Sequence, residues 1–250
     1  MLLGIKRHPG REAFLAEGPH LVEAALSDGA EIGAVLVTAG FLATLKENTT
    51  FYSSLRKAAL GFYEIPDHLF AKIAEAKTPQ GIIAQCRYKE LSLGDLKFSG
   101  PALMAVSAGV REPGNLGALI RTADAAGADA CIILPGSANV FAPKAVRATA
   151  GSLFHLPVIE ADFRELSDYL KEKKILLAAA DAHADKSVYE WDLSAPVAIA
   201  FGEEAHGLPS ELKRKADALL GIPIRGAAES LNVAASAAVF LFEAVRQRIL

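Results

Sequence analysis

After residue 100 the chain is punctuated by short, unbroken apolar runs: ALMAVSA (102–108), ACIIL (130–134), LPVI (156–159), ILLAAA (175–180), VAIAF (197–201) and ALLGIPI (218–224). Runs of this length without polar alternation suit strands buried on both faces. Between most of them the apolar positions recur at helical spacing, which predicts helices over 115–126, 162–173 and 229–248. Strand–helix alternation of this kind predicts an α/β domain on a mostly parallel sheet. Upstream the pattern is looser. GPHLVEAALSDG (18–29) reads as a capped helix, AVLVT (34–38) as a strand and LKENTTFYSSLRKAAL (45–60) as a helix. IPDHLFAKIAEA (65–76) reads as a further short helix and QGIIAQCRY (80–88) as a strand. These elements make a smaller α/β block. The seam YKELSLGDLKFSGP (88–101) carries Gly94, Gly100, Pro101 and mixed charges, and reads as a linker. The expected domains are therefore 1–94 and 100–250.

At 250 residues the chain is long enough for both blocks. Hydrophobic residues at 52% and charged residues at 22% exclude a disordered or collagen-like chain. Two cysteines, Cys86 and Cys131, are expected to make neither a disulfide framework nor a four-ligand zinc site, which fits a reducing compartment. The six histidines show no metal-binding spacing, so no metal is expected. The opening MLLGIKRHPGREAF has too short an apolar run for a secretory signal. The tract LNVAASAAVFLF (231–242) holds Asn232 and Ser236 and is well short of a membrane span. A soluble, cytoplasmic protein without a membrane partner is expected. Residues 1–100 hold 11 basic and 11 acidic side chains, and the whole chain has a net charge of -3. Neither block is a polycation, so any nucleic-acid partner has to be held by a local basic patch.

Three stretches carry candidate chemistry. In REPGNLGALIRTADAAGADACIIL (111–134), Pro113 and Gly114 suggest a turn, Asn115 a helix cap and Gly127 a helix end. Leu116, Leu119, Ile120 and Ala123 form the apolar stripe, which leaves Asn115, Ala118 and Arg121 off it. Asn115 and Arg121 then project near a strand's carboxyl end, where α/β sheets bind ligands. Taken alone, the stretch is also a capped helix with one solvated arginine. GNLGAL lacks the GxGxxG spacing, which excludes a dinucleotide fingerprint. In VAIAFGEEAHGLPSEL (197–212), Gly202 and Gly207 bracket adjacent Glu203 and Glu204. The glycines permit close backbone approach to a ligand. The two acids repel unless one is paired or binds a cation; a tight turn with two exposed acids is the alternative. In GIPIRGAAESLNVAASAAVFLFEAV (221–245), Ser230 suggests the cap of a long helix that is apolar nearly all round until Glu243, hence buried. Asn232 needs hydrogen-bond partners there.

Taken together, PGNLGALIRTADAAGA (113–128), FGEEAHGL (201–208) and IPIRGAAESLNVAASAA (222–238) resemble the three signature motifs of the SpoU (TrmH-like) class of SPOUT RNA methyltransferases, in the family's order and spacing. ATAGSLFHLPV (148–158) is similar to the family as well. REAFLAEGPHLVEAALSDG (11–29) and TPQGIIA (78–84) resemble the ribosomal-protein-like substrate-binding domain that precedes the catalytic domain in many members. The resemblance implies a C-terminal SPOUT domain with a deep trefoil knot, an exception to ordinary chain topology that periodicity cannot reveal. It implies S-adenosylmethionine in the knot loops, held by backbone around Gly202, Ile222 and Leu231, and a homodimer with the site near the subunit interface. The implied reaction is methyl transfer to a ribose 2'-hydroxyl of structured RNA. Arg121 would be the catalytic arginine, with Asn115, Glu204, Ser230 and Asn232 completing the site.

The preceding domain favours ribosomal RNA as the substrate. A transfer-RNA enzyme and a catalytically silent RNA-binding protein of the same fold are the alternatives. Three positions depart from the family pattern: Glu112 replaces an aspartate, Glu203 an asparagine or serine, and Ala234 a serine. A guanidinium holds its proton far above neutral pH, so neutralising it at pH 7 costs roughly 8 kcal/mol. A charged Arg121 that grips the neighbouring phosphate and stabilises the developing alkoxide is therefore preferred to Arg121 as a base. Lys6, Arg7, Arg11, Arg111, Lys144, Arg147 and Arg225 are the expected RNA contacts, each also readable as a solvated surface charge.

Overall fold

The computed structural model describes residues 13–203 and 206–249. The first unit runs to Glu90 and takes in Asn139–His155; the second comprises Leu91–Ala138 and Leu156–Leu250. In the first unit the order is β1 (Ala13–Glu17), α1 (Pro19–Ser27), β2 (Glu31–Val37), α2 (Ala39–Glu47), α3 (Thr49–Ala58), β3 (Gly61–Glu64), α4 (Asp67–Ile73) and β4 (Ile82–Arg87). The sheet runs β1-β4-β2-β3; β4 is antiparallel to both β1 and β2, while β2 and β3 are parallel. The expected helix over 45–60 is two helices. Asn48 separates them because its Oδ1 accepts the Phe51 amide at 3.3 Å, while Thr38 caps α2 through the Phe41 amide. An Asn or Thr side chain that takes an early amide of the next turn starts a helix there.

The segment 139–155 joins the first unit through packing and charge. It forms α6 (Pro143–Thr149) and α7 (Ser152–His155), for which periodicity gave no sign. Phe14 of β1 stacks on Phe141 and Phe154, with ring centroids 5.4 and 5.7 Å apart. His155 Nε2 lies 2.7 Å from Asp28, and His20 contacts the carbonyl of Ala150 at 3.1 Å.

The second unit contains β5 (Leu103–Ala108), α5 (Pro113–Ala125), β6 (Ala130–Ile133), β7 (Val158–Glu160), α8 (Phe163–Lys173), β8 (Leu176–Ala180), β9 (Val197–Gly202), α9 (Ser210–Lys215), β10 (Ala218–Leu220) and α10 (Val233–Ile249). All six strands are parallel, in the order β10-β8-β9-β5-β6-β7. The central strands are buried on both faces, as the apolar runs predict: every residue of β5 and β6 is buried, and exposure appears only at strand ends and on the edge strands. Two aspartates solve one end-of-strand problem in the same way. Asp129 accepts the Leu103 amide and donates its own amide to the Leu103 carbonyl; Asp217 does likewise with Leu177. The run 218–224 yields only a three-residue strand, since the chain leaves the sheet after Leu220.

Helix α10 corrects two expectations. It starts at Val233, not at Ser230, and its first turn is closed by Asn232, whose Oδ1 accepts the Ala234 amide at 2.9 Å. Nor is it buried all round: Ala235, Phe242, Arg246 and Ile249 make an exposed stripe, whereas the charged Glu243 is inside. Glu243 is tolerated there because Arg246 donates to both its oxygens at 2.7 and 2.8 Å and Gln247 adds a third bond. Arg248 donates to four main-chain carbonyls, those of Pro101, Ala102, Leu193 and Ala195. It thereby ties the end of α10 to the starts of β5 and β9.

Arg248→Ala is expected to lower unfolding stability by about 2–3 kcal/mol, since it strips four main-chain carbonyls, those of Ala102 and Leu193 in buried residues, of a charged donor. Urea titration checks this, and Arg248→Lys should recover only part of the loss. The hydrogen bonds from Arg246 outweigh burial and hold the Glu243 carboxyl below the usual glutamate range. Its stabilisation is therefore complete above pH about 4.3 and is lost as pH falls through the lower folded-state value. Glu243→Gln should flatten the acid limb of the stability–pH curve below pH about 4, read by thermal melts.

Candidate functional site

The carboxyl ends of β5, β9, β8 and β10 lie side by side, and the loops that leave them build the site. The loop after β5 is held by Ser137, whose hydroxyl meets Ser107 Oγ at 3.0 Å and accepts the Gly109 amide at 3.1 Å. Helix α5 then begins at Pro113, earlier than an Asn115 cap would place it. The cap is Glu112, whose Oε2 accepts the Asn115 amide at 2.6 Å. A carboxylate at a helix N-terminus also meets the favourable end of the helix dipole. Leu116, Leu119, Ile120 and Ala123 are fully buried, as their spacing predicts, and Gly127 ends the helix with φ 68°. Asn115 is left partly exposed and Arg121 exposed.

The loop after β9 folds back on itself. Glu203 and Gly207 exchange both main-chain hydrogen bonds, at 3.1 and 2.7 Å. This packs the turn so tightly on Gly202 that a Cβ there would lie 2.4 Å from the Gly207 carbonyl group and 2.6 Å from the Leu208 nitrogen. Glu203 is paired: Oε1 lies 3.4 Å from Arg111 and Oε2 2.9 Å from His206 Nδ1. The repulsion expected of this acidic turn is thus met on the Glu203 side by the Arg111 guanidinium and a hydrogen bond with His206, while Glu204 lies outside the described residues. Arg111, a candidate RNA contact, is 67% exposed and bridges the loop after β5 to the loop after β9.

Loop 221–232 returns the third stretch to the same place. The Asn232 side-chain amide donates to Asn115 Oδ1 at 3.1 Å, joining residues 117 positions apart in sequence. Helices α5 and α10 pack on one another beneath this bond.

A cavity of about 360 Å³ opens between the loops, lined wholly by the second unit. Gly202, Ile222, Ser230 and Leu231 are on its wall, and Phe201 and Phe240 meet edge to face at 5.8 Å beneath it. Asn115, Asn232 and Arg121 are not on that wall. Arg121 makes no hydrogen bond or ion pair among the described residues. Arg225 is exposed on the loop before Ser230. Lys144 and Arg147 belong to the first unit, where Arg147 lies 3.6 Å from Glu17. Lys6, Arg7 and Arg11 lie outside the described residues.

One wall escaped sequence reasoning. Ala180, Asp181, Ala182 and His183, at the end of β8, line the cavity together with Lys213 of α9. Asp181 Oδ2 accepts from Lys213 Nζ at 2.7 Å, and Oδ1 accepts the His183 amide at 3.0 Å. Burial raises the Asp181 carboxyl, but these donors more than offset it and leave it below the usual aspartate range. The available signal was position: Asp181 is the first polar residue after ILLAAA, at the carboxyl edge of an interior parallel strand. Among the described residues no cluster of three or more His, Cys, Asp or Glu side chains is placed to hold a metal ion, and no helix is long and apolar enough to cross a membrane.

The cavity fits a nucleoside with a charged tail. Its volume is within the range of small-molecule sites. Ile222, Leu231, Leu208 and Val233 offer apolar surface, and Asp181, Lys213 and Ser230 offer polar groups.

Comparison with known proteins places the chain among RNA-modifying enzymes. Residues 102–242 match the SpoU rRNA Methylase family, and residues 6–84 match an MRM3-like substrate binding domain. The chain is 34% identical to the 23S rRNA (guanosine(2553)-2'-O)-methyltransferase RlmP of Bacillus subtilis over 95% of this chain and 90% of that protein. The SpoU methyltransferase AviRb from Streptomyces viridochromogenes, solved with AdoMet, superposes with a TM-score of 0.87 at 28% identity, over 99% of this chain and 96% of that one. An AdoMet-bound rRNA methyltransferase from Sinorhizobium meliloti gives 0.85 at 30% identity, over 98% and 91%.

Gly202→Ala is expected to break the turn that closes on it, because the atoms in the way are main chain and cannot rotate aside. Hydrogen–deuterium exchange should show the Gly207 amide losing protection. Gly226→Ala, where a Cβ meets nothing within 4 Å, should leave exchange unchanged.

Proposed function

The chain belongs to the SpoU rRNA methylase family, and from that premise we propose that it transfers a methyl group from S-adenosylmethionine to a ribose 2'-hydroxyl of ribosomal RNA, as a cytoplasmic homodimer. The observation that carries the reading is the meeting of three separated stretches. Asn115 and Asn232 are hydrogen-bonded, Arg111 and Glu203 are paired, and Gly202, Ile222 and Leu231 share one cavity. The full-length relative that acts on 23S rRNA supports the choice of RNA, since its similarity extends through both matched regions. In this reading residues 1–94 bind the RNA substrate and residues 100–250 form the catalytic domain, with the passage from β9 to α10 as its trefoil knot. The stripe of Ala235, Phe242 and Ile249 on α10 supports pairing with a second copy.

S-adenosylmethionine supplies an electrophilic methyl group on a sulfonium. The protein's tasks are alignment, charge and proton handling. Main chain around Gly202, Ile222 and Leu231 holds the adenosine. Arg121 stays charged, grips the phosphate beside the target ribose and stabilises oxygen as negative charge develops on it. Asn115 and Asn232 brace each other, so that α5 presents Arg121 from a fixed helix. The hydroxyl proton passes by way of Ser230 to the Glu204 carboxylate, and the sulfur departs as the neutral thioether of S-adenosylhomocysteine. Lys6, Arg7, Arg11, Arg111, Lys144, Arg147 and Arg225 make phosphate contacts.

Methyl transfer from labelled S-adenosylmethionine to 23S rRNA, with mapping of 2'-O-methyl positions, tests the reading. Transfer to transfer RNA alone, or to no RNA, would overturn it. Arg121→Ala should cut turnover by about 10²-fold or more while S-adenosylhomocysteine still binds. Arg121→Lys should recover little, because an ammonium lacks the two-pronged geometry. RNA affinity should fall with salt by about 0.7 log units per log unit of salt for each phosphate contact.

A further inference from the structure

The wall formed by Asp181 and Lys213 has no counterpart in the three signature stretches and no role in the scheme above. We propose that this pair recognises the ribose cis-diol of the bound cofactor, which makes Asp181 a cofactor-binding residue. The inference rests on the cavity being the S-adenosylmethionine site.

Three observations carry it. The pair faces the cavity from the carboxyl end of β8, and the Asp181 side chain is only 11% exposed against 33% for Lys213. A largely buried carboxylate held at 2.7 Å by an ammonium is charge-neutral as a unit. A cationic ligand group would meet Lys213 and an anionic one Asp181, so the pair favours a neutral group. Spare hydrogen-bonding capacity remains on both members. The Lys213 ammonium has three donors and uses one on Asp181; among the described residues each Asp181 oxygen accepts from one donor and keeps a further lone pair.

A hydroxyl both donates and accepts, and two neighbouring hydroxyls can donate to Asp181 while accepting from Lys213. Their oxygens are separated by about one hydrogen-bond length, which is the spacing of Oδ2 and Nζ in the pair. The other acids on the wall are less suited. Glu203 is committed to Arg111 and His206, and Glu229 is exposed. The pair is also held rigid. The Asp181 amide donates to the Leu220 carbonyl at 2.9 Å, and Gly221 brings the next strand end so close that a Cβ there would lie 3.2 Å from the Asp181 carbonyl oxygen. Groups fixed before binding lose little freedom when the ligand arrives.

Calorimetry on the full chain tests the proposal with S-adenosylhomocysteine, its 2'-deoxy and 3'-deoxy ribose analogues, and its inosine analogue with an intact ribose. The unaltered protein should bind at least one deoxy analogue about tenfold more weakly or worse. Asp181→Asn keeps the size and the bond to the His183 amide, and in it the deoxy penalty should shrink to about twofold. Lys213→Met should shrink it likewise, and thermal melts establish that both variants are folded. Equal binding of the deoxy analogues by the unaltered protein overturns the proposal. So does a deoxy penalty that survives in Asp181→Asn, or a loss of discrimination confined to the inosine analogue. If the unaltered protein binds no S-adenosylhomocysteine, the cofactor reading fails, and this inference fails with it.

Discussion

The site depends on how closely two pieces of main chain approach at Gly202. Strand β9 ends there, and the turn that follows must reverse within five residues to bring Leu208 back over the strand end. Any side chain at 202 would occupy the volume of Gly207 and Leu208. Glycine is therefore required by distance and not by backbone dihedral, since its φ is unexceptional while that of Gly207 is 66°. Once the reversal is made, Glu203 is carried to Arg111 and the cavity has one of its walls. The same close approach recurs at Gly221, where β10 ends after three residues beside the turn that follows β8. Early termination of strands, enforced by main-chain crowding, leaves open space at the sheet's carboxyl edge.

That open space has to be held open by something rigid. The hydrogen bond between Asn115 and Asn232 is solvent-accessible and by itself worth little. Its geometry is reliable because each asparagine is fixed at a helix start. The Asn115 amide is held by Glu112, and Asn232 closes the first turn of α10. Those helices are fixed in turn by the fully buried stripe of α5 and by Arg248 at the far end of α10. Interactions in the apolar core and at the strand starts thus set the position of polar groups at the opposite edge.

The sequence made the repeating elements legible because burial imposes its period directly on residue type. The stripe of Leu116, Leu119, Ile120 and Ala123, and the apolar runs of β5, β6, β8 and β9, needed only that rule. Boundaries were less legible because one side chain decides each. Asn48 divides a continuous helical pattern, Glu112 displaces Asn115 as the cap, and Asn232 displaces Ser230. The interior of α10 misled for a different reason. With apolar residues on every face there is no amphipathic stripe to mark the buried side, so an exposed Phe242 beside a buried Glu243 cannot be foreseen without knowing what lies opposite. Segment 139–155 was missed because its contacts to the first unit run through Phe141, Phe154 and His155, whose partners Phe14 and Asp28 are more than a hundred residues away in sequence.

The acids around the cavity show why position outweighs motif in such a fold. Two adjacent glutamates draw attention in the sequence, yet the described one, Glu203, is paired with Arg111 and hydrogen-bonded to His206 at the loop and serves to join two segments. Asp181 stands in an unremarked run and carries no motif, but it closes an interior strand and so faces the cavity with a lysine beside it. Burying a carboxylate is tolerable only with such a partner, and the partner also keeps it ionised near neutral pH. A paired acid on a cavity wall then has a neutral overall field and directional donors and acceptors. Those properties suit discrimination among hydroxyl groups better than attraction of a charged ligand.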